Sequence, residues 1–251
     1  MENLNGKVAV VTGGARDIGK AISISLAKAG AKVIVNYFES ESQGDETVAA
    51  IEKLGGTAVA VYADVTKQAD IDAMVKTTLD HFGPKIDILV NVAGGLFARK
   101  SIEEMDEDFY NLVMDVNLKS VFLVTKAIKP HMEKGGAIIN FASQAGRDGG
   151  GPGAAIYATS KGAVITYTRA LAKEFGPQGI RVNALCPGMI ATKFHDDFTK
   201  DEVREKVAGS TPLRREGEAK EVADLVVYLA SEQSSFITGN NIDINGGLAF
   251  S

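Results

Sequence analysis

Short apolar runs alternate with helix-like segments along almost the whole chain, and this alternation restricts the possible folds more than any other feature. The first unit starts with a β-branched run, Lys7 to Val11, and continues through a glycine-rich turn into apolar positions at helical spacing that end at Gly30. A second strand, Lys32 to Tyr37, follows at once. A strand, a helix and a second strand in this order almost always cross over right-handed in a parallel sheet.

The same alternation continues towards the C-terminus. Apolar runs predict five more strands, at 57–62, 86–90, 136–142, 180–186 and 241–244. Helices are predicted at about 18–29, 41–54, 68–82, 106–133, 157–175 and 218–230. We therefore predict an α/β fold, a doubly wound, Rossmann-like sheet of seven parallel strands in a single domain spanning 1–251. A polar stretch at 194–208 predicts a mobile flap at 190–212 that covers a substrate pocket.

Composition excludes several classes of function. The formal net charge of -5 gives no basic field for nucleic acid or an anionic membrane, so neither is expected as a partner. Apolar runs are far shorter than the ~20 residues of a membrane helix. The single cysteine, Cys186, and the absence of a signal-peptide pattern predict a cytoplasmic protein. Three scattered histidines and one cysteine have no metal-ligand spacing, so no metal is expected.

Residues Thr12 to Gly19 form a glycine-rich turn between the first strand and the first helix. In this setting backbone N–H groups and a helix N-terminus can bind a pyrophosphate. The turn therefore indicates a dinucleotide cofactor, although a glycine-rich turn alone is weak evidence.

A second motif combines Ser143, at the end of a predicted strand, with Tyr157 and Lys161 on the following helix. Side chains four residues apart lie on one helix face. An ammonium near Tyr157 should favour its phenolate and lower the pKa from its usual ~10. Ser143 could hold a carbonyl or hydroxyl oxygen while Tyr157 transfers the proton. The alternative is a tyrosine and a lysine on an ordinary amphipathic helix.

Several motifs occur together in order: Thr12 to Gly19, Asp64, Asn91 to Gly94, Asn117, Ser143, Tyr157, Lys161, Pro187-Gly188 and Thr192. With them the chain closely resembles the short-chain dehydrogenase/reductase family over essentially its whole length. The resemblance implies an NAD(P)-dependent oxidoreductase that acts on CH-OH groups of a small molecule and assembles as a homotetramer. It also implies a catalytic set in which Tyr157 is the acid/base, Ser143 orients the carbonyl, Lys161 assists Tyr157 and grips the ribose, and Asn117 holds a relay water.

The resemblance also implies where NAD or NADP binds. The expected contacts are Gly13, Arg16, Asp17, Ile18, Gly19, Tyr37, Phe38, Asp64, Val65, Asn91, Ala93, Gly94, Tyr157, Lys161, Pro187, Gly188, Ile190 and Thr192. Asp17 departs from the family pattern, which usually has Gly or Ala there. Because a carboxylate repels phosphate, the favoured interpretation is that Asp17 caps the helix beginning at Ile18, and the alternative is a cofactor contact.

Cofactor preference depends on the residues near the ribose 2′ position. NAD-preferring relatives usually have an acid where this chain has Tyr37, and many NADP-preferring relatives have an arginine where it has Glu39. Arg16 could bind a 2′-phosphate or pair with Glu39. The local acids give a slight lean to NADH, unless Glu39 and Glu41 are simply solvated.

Three loop segments carry a narrower resemblance: Gly94 to Lys100, Arg147 to Gly153, and Pro187 to Ile190 with Phe194 to Asp196. They resemble the loops of reductases of the alginate-derived monouronate 4-deoxy-L-erythro-5-hexoseulose uronate. An α-keto uronate is therefore the expected substrate, because arginine recognises carboxylates in a bidentate manner. The candidate substrate residues are Gly95, Arg99, Gln144, Arg147, Gly150, Met189, Phe194 and His195.

Two other interpretations stay open. The first is a 3-oxoacyl-carrier-protein reductase or a sugar or polyol dehydrogenase, although the cations available to a carrier protein, Arg99, Lys100 and Lys126, are sparse. The second is a non-catalytic protein that senses the nicotinamide redox ratio. The intact set of Ser143, Tyr157 and Lys161 argues against a sensor, which need not keep a proton relay.

Overall fold

A computed structural model describes residues 3–193 and 201–250. Its main sheet has seven parallel strands in the order β3-β2-β1-β4-β5-β6-β9. The strands are β1 Val8–Thr12, β2 Lys32–Tyr37, β3 Thr57–Tyr62, β4 Ile88–Asn91, β5 Ala137–Phe141, β6 Arg181–Pro187 and β9 Asn241–Ile244. This order confirms the doubly wound sheet. It reverses between β1 and β4, and ligands of such sheets bind beyond the carboxyl ends of the strands at that point.

The helices cover both faces of this sheet. They are α1 Asp17–Lys28, α2 Glu41–Glu52, α3 Gln68–Phe82, α4 Glu107–Met114, α5 Ser120–Ile128, α6 Ala145–Asp148, α7 Ala155–Phe175, α8 Asp201–Ser210 and α9 Ala219–Ala230. The short helix α6 and a two-stranded sheet of β7 Ile190–Ala191 and β8 Gly217–Glu218 were not predicted. Elements this short carry too little periodicity to be detected in a sequence.

The central strands are buried on both sides. Val11 faces a core that contains residues of α1 and α9, whereas Val10 faces a second core with residues of α3, α5 and α7. All five residues of β1 are buried. This double burial explains why the strands read as continuous apolar runs rather than as alternating patterns.

The single helix predicted at 106–133 is wrong, because a π-helical turn at Asp115–Lys119 separates α4 from α5. Side chains compete with the backbone there. The Asn117 amide donates to the Val113 carbonyl at 2.9 Å, and the Ser120 hydroxyl donates to the Val116 carbonyl at 2.6 Å. The backbone N–H of Ser120 instead reaches the carbonyl of Asp115, five residues back. The wider turn is a common device at functional sites.

The region of the predicted flap is described only in part. It contains β7, α8 and the approach to β8, and residues 194–200 lie outside the described ranges. Val203 and Val207 of α8 line the main cleft, so this helix borders the predicted pocket. Its mobility stays a prediction. No helix within the described ranges is long and apolar enough to cross a membrane.

Asp87 joins the amino ends of β1 and β4. It is 6% exposed, accepts the Val8 N–H at 3.0 Å, and lies 3.3 and 3.2 Å from the ammonium groups of Lys7 and Lys85. Burial favours the neutral acid, but these hydrogen bonds and charges outweigh it and hold the Asp87 pKa below its ordinary value. The carboxylate therefore stabilises the fold above the unfolded-state pKa of ~3.9.

We expect Asp87→Asn to lower the free energy of unfolding at pH 7 by about 1–3 kcal/mol, the usual contribution of a hydrogen bond to a charged group. Since this stabilisation is lost as pH falls from the unfolded-state pKa through the lower folded-state pKa, the difference from wild type should narrow progressively below about pH 4. Denaturant titrations at several pH values test this. Asp80→Asn, which removes an exposed pair with Lys76, is the control and should change stability by less than about 0.5 kcal/mol. A difference in unfolding free energy between wild type and Asp87→Asn that does not vary with pH would contradict the stabilising role of the Asp87 carboxylate.

Candidate active site

A cleft of about 950 Å³ opens beyond the carboxyl ends of the strands. It is large enough for a sizeable organic ligand. Most of the predicted cofactor contacts line it: Gly13, Arg16, Asp17, Ile18, Gly19, Tyr37, Phe38, Asp64, Val65, Ala93, Gly94, Tyr157, Lys161, Pro187, Gly188, Ile190 and Thr192. The structure therefore brings together residues that are up to 179 positions apart in the chain, from Gly13 to Thr192.

Asn91 was predicted as a cofactor contact, but its side chain does not line this cleft. It is 2% exposed and donates to the Asn140 carboxamide oxygen at 2.9 Å and to the Thr125 hydroxyl at 3.3 Å. Asn140 in turn donates to the Thr168 hydroxyl at 3.0 Å. The Asn91 side chain therefore joins β4, β5 and two helices, because a buried amide must satisfy its hydrogen bonds inside the protein.

The glycine-rich turn fits a pyrophosphate closely. A Cβ on Gly19 would lie 2.0 Å from the Gly13 carbonyl oxygen, so only glycine lets the turn wrap the start of α1. The first amides of α1 have no partners within the helix ladder and lie beside the cleft. Backbone N–H groups at a helix N-terminus suit a phosphate, so the residues present fit a dinucleotide.

Two polar side chains that fix this turn were missed by the sequence analysis. The Thr12 hydroxyl accepts the N–H groups of Val92 and Ala93 at 3.1 and 3.2 Å, which ties β1 to the loop after β4. The Asn36 carboxamide oxygen accepts the Gly13 N–H at 3.0 Å. The available signal was a polar residue inside an apolar strand, since Asn36 interrupts the run in β2.

The interpretation of Asp17 as a helix cap is wrong. Arg16 has the extended conformation of the N-cap, whereas Asp17 is the first helical residue and has φ +48°. A cap must precede the helix to reach its free amides. The Asp17 carboxylate instead accepts the Lys193 N–H at 3.1 Å, which links the glycine-rich turn to the end of the loop after β7.

The catalytic candidates Ser143 and Tyr157 are joined by a hydrogen bond between their side chains. Ser143 follows β5, and its hydroxyl also accepts the Ala145 N–H at 3.1 Å. Lys161 is 4% exposed and donates from Nζ to the Phe141 carbonyl at 2.9 Å. The end of β5 and the first half of α7 therefore hold all three functional groups at one wall of the cleft.

Burial controls the acid–base properties of these groups. Burial raises the pKa of Tyr157, and the hydrogen bond to Ser143 only partly opposes it. Burial also lowers the pKa of Lys161 to about 8. The prediction that Lys161 lowers the pKa of Tyr157 is therefore wrong. The ammonium lies 5.8 Å from the centre of the phenol ring and is directed at the Phe141 carbonyl.

Asn117 lies behind this wall and is fully buried. Its carboxamide accepts the Gly95 N–H at 3.0 Å and donates to the Gly95 carbonyl at 2.8 Å. A Cβ on Gly94 would lie 2.7 Å from the Asn117 carboxamide oxygen and 3.0 Å from Lys161 Nζ. The π-helical turn thus positions Asn117 next to Lys161, while its role in holding a relay water stays a prediction.

The predicted substrate residues have different outcomes. Gly95, Arg99, Gln144, Gly150 and Met189 line the cleft. Phe194 and His195 lie outside the described residues.

The Arg147 guanidinium does not line the cleft, and its predicted substrate role is wrong. It donates to the Asp243 carboxylate at 2.8 Å and to the Asn241 carbonyl, so it links α6 to β9. Arg147 stands beside a glycine-rich stretch of the sequence, which suggested an exposed cation in a loop. Its partners on β9 are almost a hundred residues away in sequence.

The other cations and acids of the cleft are few. Among the described residues, Arg16 forms no ion pair with Glu39, although both line the cleft. Arg99 donates to the Pro152 carbonyl at 3.0 Å. The carboxylates of Asp115 and Asp148 also line the cleft. No group of three or more potential metal ligands occurs in the described ranges.

Apolar residues that the sequence analysis did not assign to the site form much of the remaining lining. They come from three separate segments, the loop after β4, helix α4 and helix α8. These residues are Leu96, Phe97, Leu112, Val203 and Val207. Because no local pattern connects these segments, a sequence gives no signal that they meet.

The chain is similar to proteins of known family. Residues 13–249 match the family described as enoyl-(acyl carrier protein) reductase. The chain is 42% identical to a 3-oxoacyl-[acyl-carrier-protein] reductase of Synechocystis over 99% of each protein, and 39% identical to glucose 1-dehydrogenase 2 of Bacillus subtilis over 98% of this chain and 96% of that protein.

Solved structures agree with these matches. A short-chain dehydrogenase/reductase from Serratia marcescens has a TM-score of 0.93 and 36% identity, with 98% of this chain and 99% of that one covered. A blue fluorescent protein from a metagenomic library, solved in complex with NADPH, has a TM-score of 0.92 and 35% identity, with 99% of this chain and 100% of that one covered. The chain therefore belongs to the short-chain dehydrogenase/reductase family and is an oxidoreductase that acts on alcohol or carbonyl groups with a nicotinamide cofactor.

Proposed function

We propose that the protein reduces the ketone of a 3-oxoacyl thioester with a reduced nicotinamide cofactor. The observation that carries this proposal is the apolar lining of the cleft by Leu96, Phe97, Leu112, Val203 and Val207. An acyl chain gains free energy by leaving water for such a surface. The Synechocystis relative, a 3-oxoacyl-[acyl-carrier-protein] reductase, supports the same substrate class.

In this proposal Tyr157 donates the proton and Ser143 orients the ketone. Because burial raises the Tyr157 pKa, the phenol stays protonated at neutral pH and is ready to donate. The cofactor supplies the hydride when it is bound. Lys161, with a pKa of about 8, is mostly an ammonium at pH 7 and stabilises the phenolate left after proton transfer. Asn117 fixes the Gly95 backbone beside Lys161.

The cofactor would be held along the carboxyl edge of the sheet. The glycine-rich turn at 13–19 would bind the pyrophosphate. The loops at 37–39 and 63–65 would hold the adenosine half, and Lys161 would contact the nicotinamide ribose. Pro187, Gly188, Ile190 and Thr192 complete the nicotinamide side. We propose a modest preference for NADH over NADPH, because Glu39 lines the cleft and would repel a 2′-phosphate.

An α-keto uronate fits the cleft less well. Arg147 is bonded to Asp243 and Asn241, so one of the cations expected to meet the carboxylate is absent from the lining, although Arg99 lies in it. Asp148 lines the same cleft without an ion-pair partner among the described residues and would oppose a carboxylate, whereas Asp115 pairs with Lys119 at 3.0 Å. The Bacillus subtilis relative, glucose 1-dehydrogenase 2, favours a sugar or polyol as the second candidate.

A substrate panel tests these assignments. Acetoacetyl-CoA, an α-keto uronate, glucose and simple ketoses would be assayed with NADH and NADPH, or with the oxidised cofactors for alcohols. We expect the highest kcat/KM for the 3-oxoacyl thioester. A higher value for glucose or for the uronate would overturn this substrate assignment.

Tyr157→Phe should retain the fold and cofactor binding while kcat falls at least ~100-fold, because general acid catalysis contributes about 10²–10⁴-fold. Steady-state kinetics and cofactor fluorescence titration measure the two quantities. Tyr167→Phe is a matched control on the same helix that does not line the cleft, and it should leave kcat within about twofold. Near-normal turnover by folded Tyr157→Phe would contradict the assigned role.

Glu39→Arg should raise the ratio of kcat/KM for NADPH over NADH. A 2′-phosphate near Glu39 meets a like charge worth about 1 kcal/mol at 4 Å in water, and arginine replaces it with a charge-assisted contact. Glu41→Arg makes the same charge change two residues away, outside the cleft lining, and controls for the general field. If both variants change the ratio equally, or neither does, residue 39 does not contact the ribose.

We also propose a homotetramer, based on the family resemblance and on large exposed apolar side chains. Val121, Val124, Val164 and Ile165 pack inside the chain, but Phe122 is 45% exposed on α5. Phe236 is fully exposed and Phe250 is 89% exposed. Light scattering at micromolar concentration should give four times the chain mass, and a monomer mass would contradict the proposal.

A further inference from the structure

The side chain of Asn36 lies at the junction of three segments that border the cofactor cleft. It is 2% exposed and stands near the end of β2. Its carboxamide oxygen accepts the Gly13 N–H at 3.0 Å. Its amide group lies within hydrogen-bonding distance of three carbonyls, 3.1 Å from Tyr37, 3.4 Å from Val61 and 3.1 Å from Ala63.

These partners belong to different parts of the cleft wall. Gly13 opens the glycine-rich turn, Tyr37 begins the loop beside the ribose site, and Ala63 precedes Asp64 at the adenine side. The Asn36 backbone carbonyl also accepts the Gly14 N–H at 2.9 Å. One residue thus sets the spacing between the pyrophosphate turn and the two loops of the adenosine half.

The chemistry of the site requires a carboxamide. The Gly13 N–H needs an acceptor and the facing carbonyls need donors, so an aspartate of the same shape would direct its carboxylate at three carbonyl oxygens. A leucine or valine would remove the side-chain acceptor of the Gly13 N–H and the side-chain donor to the Ala63 carbonyl, which is costly in a protein interior. The carboxamide also cannot be flipped by 180°. Its NH₂ group would then face the Gly13 N–H, and its oxygen would face the carbonyl oxygens of Tyr37, Val61 and Ala63.

We propose that Asn36 is a positioning residue for the cofactor, which fixes the adenosine half of the site without touching the reacting atoms. This inference rests on the proposed placement of the cofactor. Ser143, Tyr157 and Lys161 are held by β5 and α7, which share none of the hydrogen bonds of Asn36. Loss of Asn36 should therefore weaken binding of the adenosine half and leave the catalytic groups in place.

The test compares two buried asparagines. Asn183 in β6 is 1% exposed, donates to the Ile237 carbonyl at 2.8 Å and accepts the Asn240 N–H at 3.1 Å, and it does not line the cleft. Asn36→Ala and Asn183→Ala should both lower thermal stability. Titration calorimetry with ADP, which carries no nicotinamide, reports binding of the adenosine half alone.

We expect Asn36→Ala to raise the Kd for ADP about tenfold or more, as for the loss of a supporting residue behind a binding site. Asn183→Ala should leave this Kd within about twofold. In steady-state kinetics Asn36→Ala should raise the KM for NADH and NADPH by the same factor, with kcat at saturating cofactor nearly unchanged. Asn36→Thr introduces a β-branched residue that strands favour, with one hydroxyl, and serves if Asn36→Ala does not fold.

The outcomes distinguish a failure of the proposed cofactor placement from a failure of the proposed role of Asn36. If wild-type protein does not bind ADP, the proposed cofactor placement is wrong. If wild type binds ADP and both Asn36 variants bind it equally well, or if Asn183→Ala weakens ADP binding as much as Asn36→Ala, the positioning role of Asn36 is wrong.

Discussion

Burial of both faces of a parallel sheet is the constraint on which the rest of the structure depends. It leaves the strands no polar face and confines ligand contacts to the loops at their carboxyl ends. Backbone N–H and C=O groups in those loops have left the sheet ladder and need other partners. Thr12, Asn36 and Asn117 supply such partners with side-chain hydrogen bonds to the loops after β4 and β1. The shape of the cleft is therefore set by a few buried polar residues.

The same burial sets the chemistry. Lys161 is held in the interior by the Phe141 carbonyl, and burial lowers its pKa to about 8 because the interior disfavours the ammonium. Tyr157 is kept protonated for the same reason. A site with these properties is poised to give a proton to a substrate oxygen, and the phenolate that results restores a counter-charge for Lys161. The proton donor and its cation thus stabilise each other most after proton transfer, which is the condition for catalysis.

The strands, most helices and the placement of Tyr157 and Lys161 on one helix were predictable, because each depends on local patterns. Apolar periodicity located β2 and β3 at their observed bounds, and the spacing of Tyr157 and Lys161 placed both on one helix. Two failures at the site involve long-range partners. Asp17 was expected to cap a helix but bonds with Lys193, and Arg147 was expected at the substrate but bonds with Asp243. A sequence gives the charge of a side chain and not the partner that neutralises it.

The substrate end of the cleft illustrates this limit. The resemblance of the loops favoured an acidic sugar, and Arg99, Arg147 and His195 were expected to be able to meet its carboxylate. The fold removes Arg147 from the cleft and places Asp148 in its lining, while Asp115, which also lines it, pairs with Lys119 at 3.0 Å, so a carboxylate would meet fewer cations there than expected. It also brings apolar residues of α4 and α8 to the same wall. An anionic substrate would have to leave water for a surface where Asp148 opposes the charge of Arg99, whereas an acyl chain meets apolar side chains and loses little hydration.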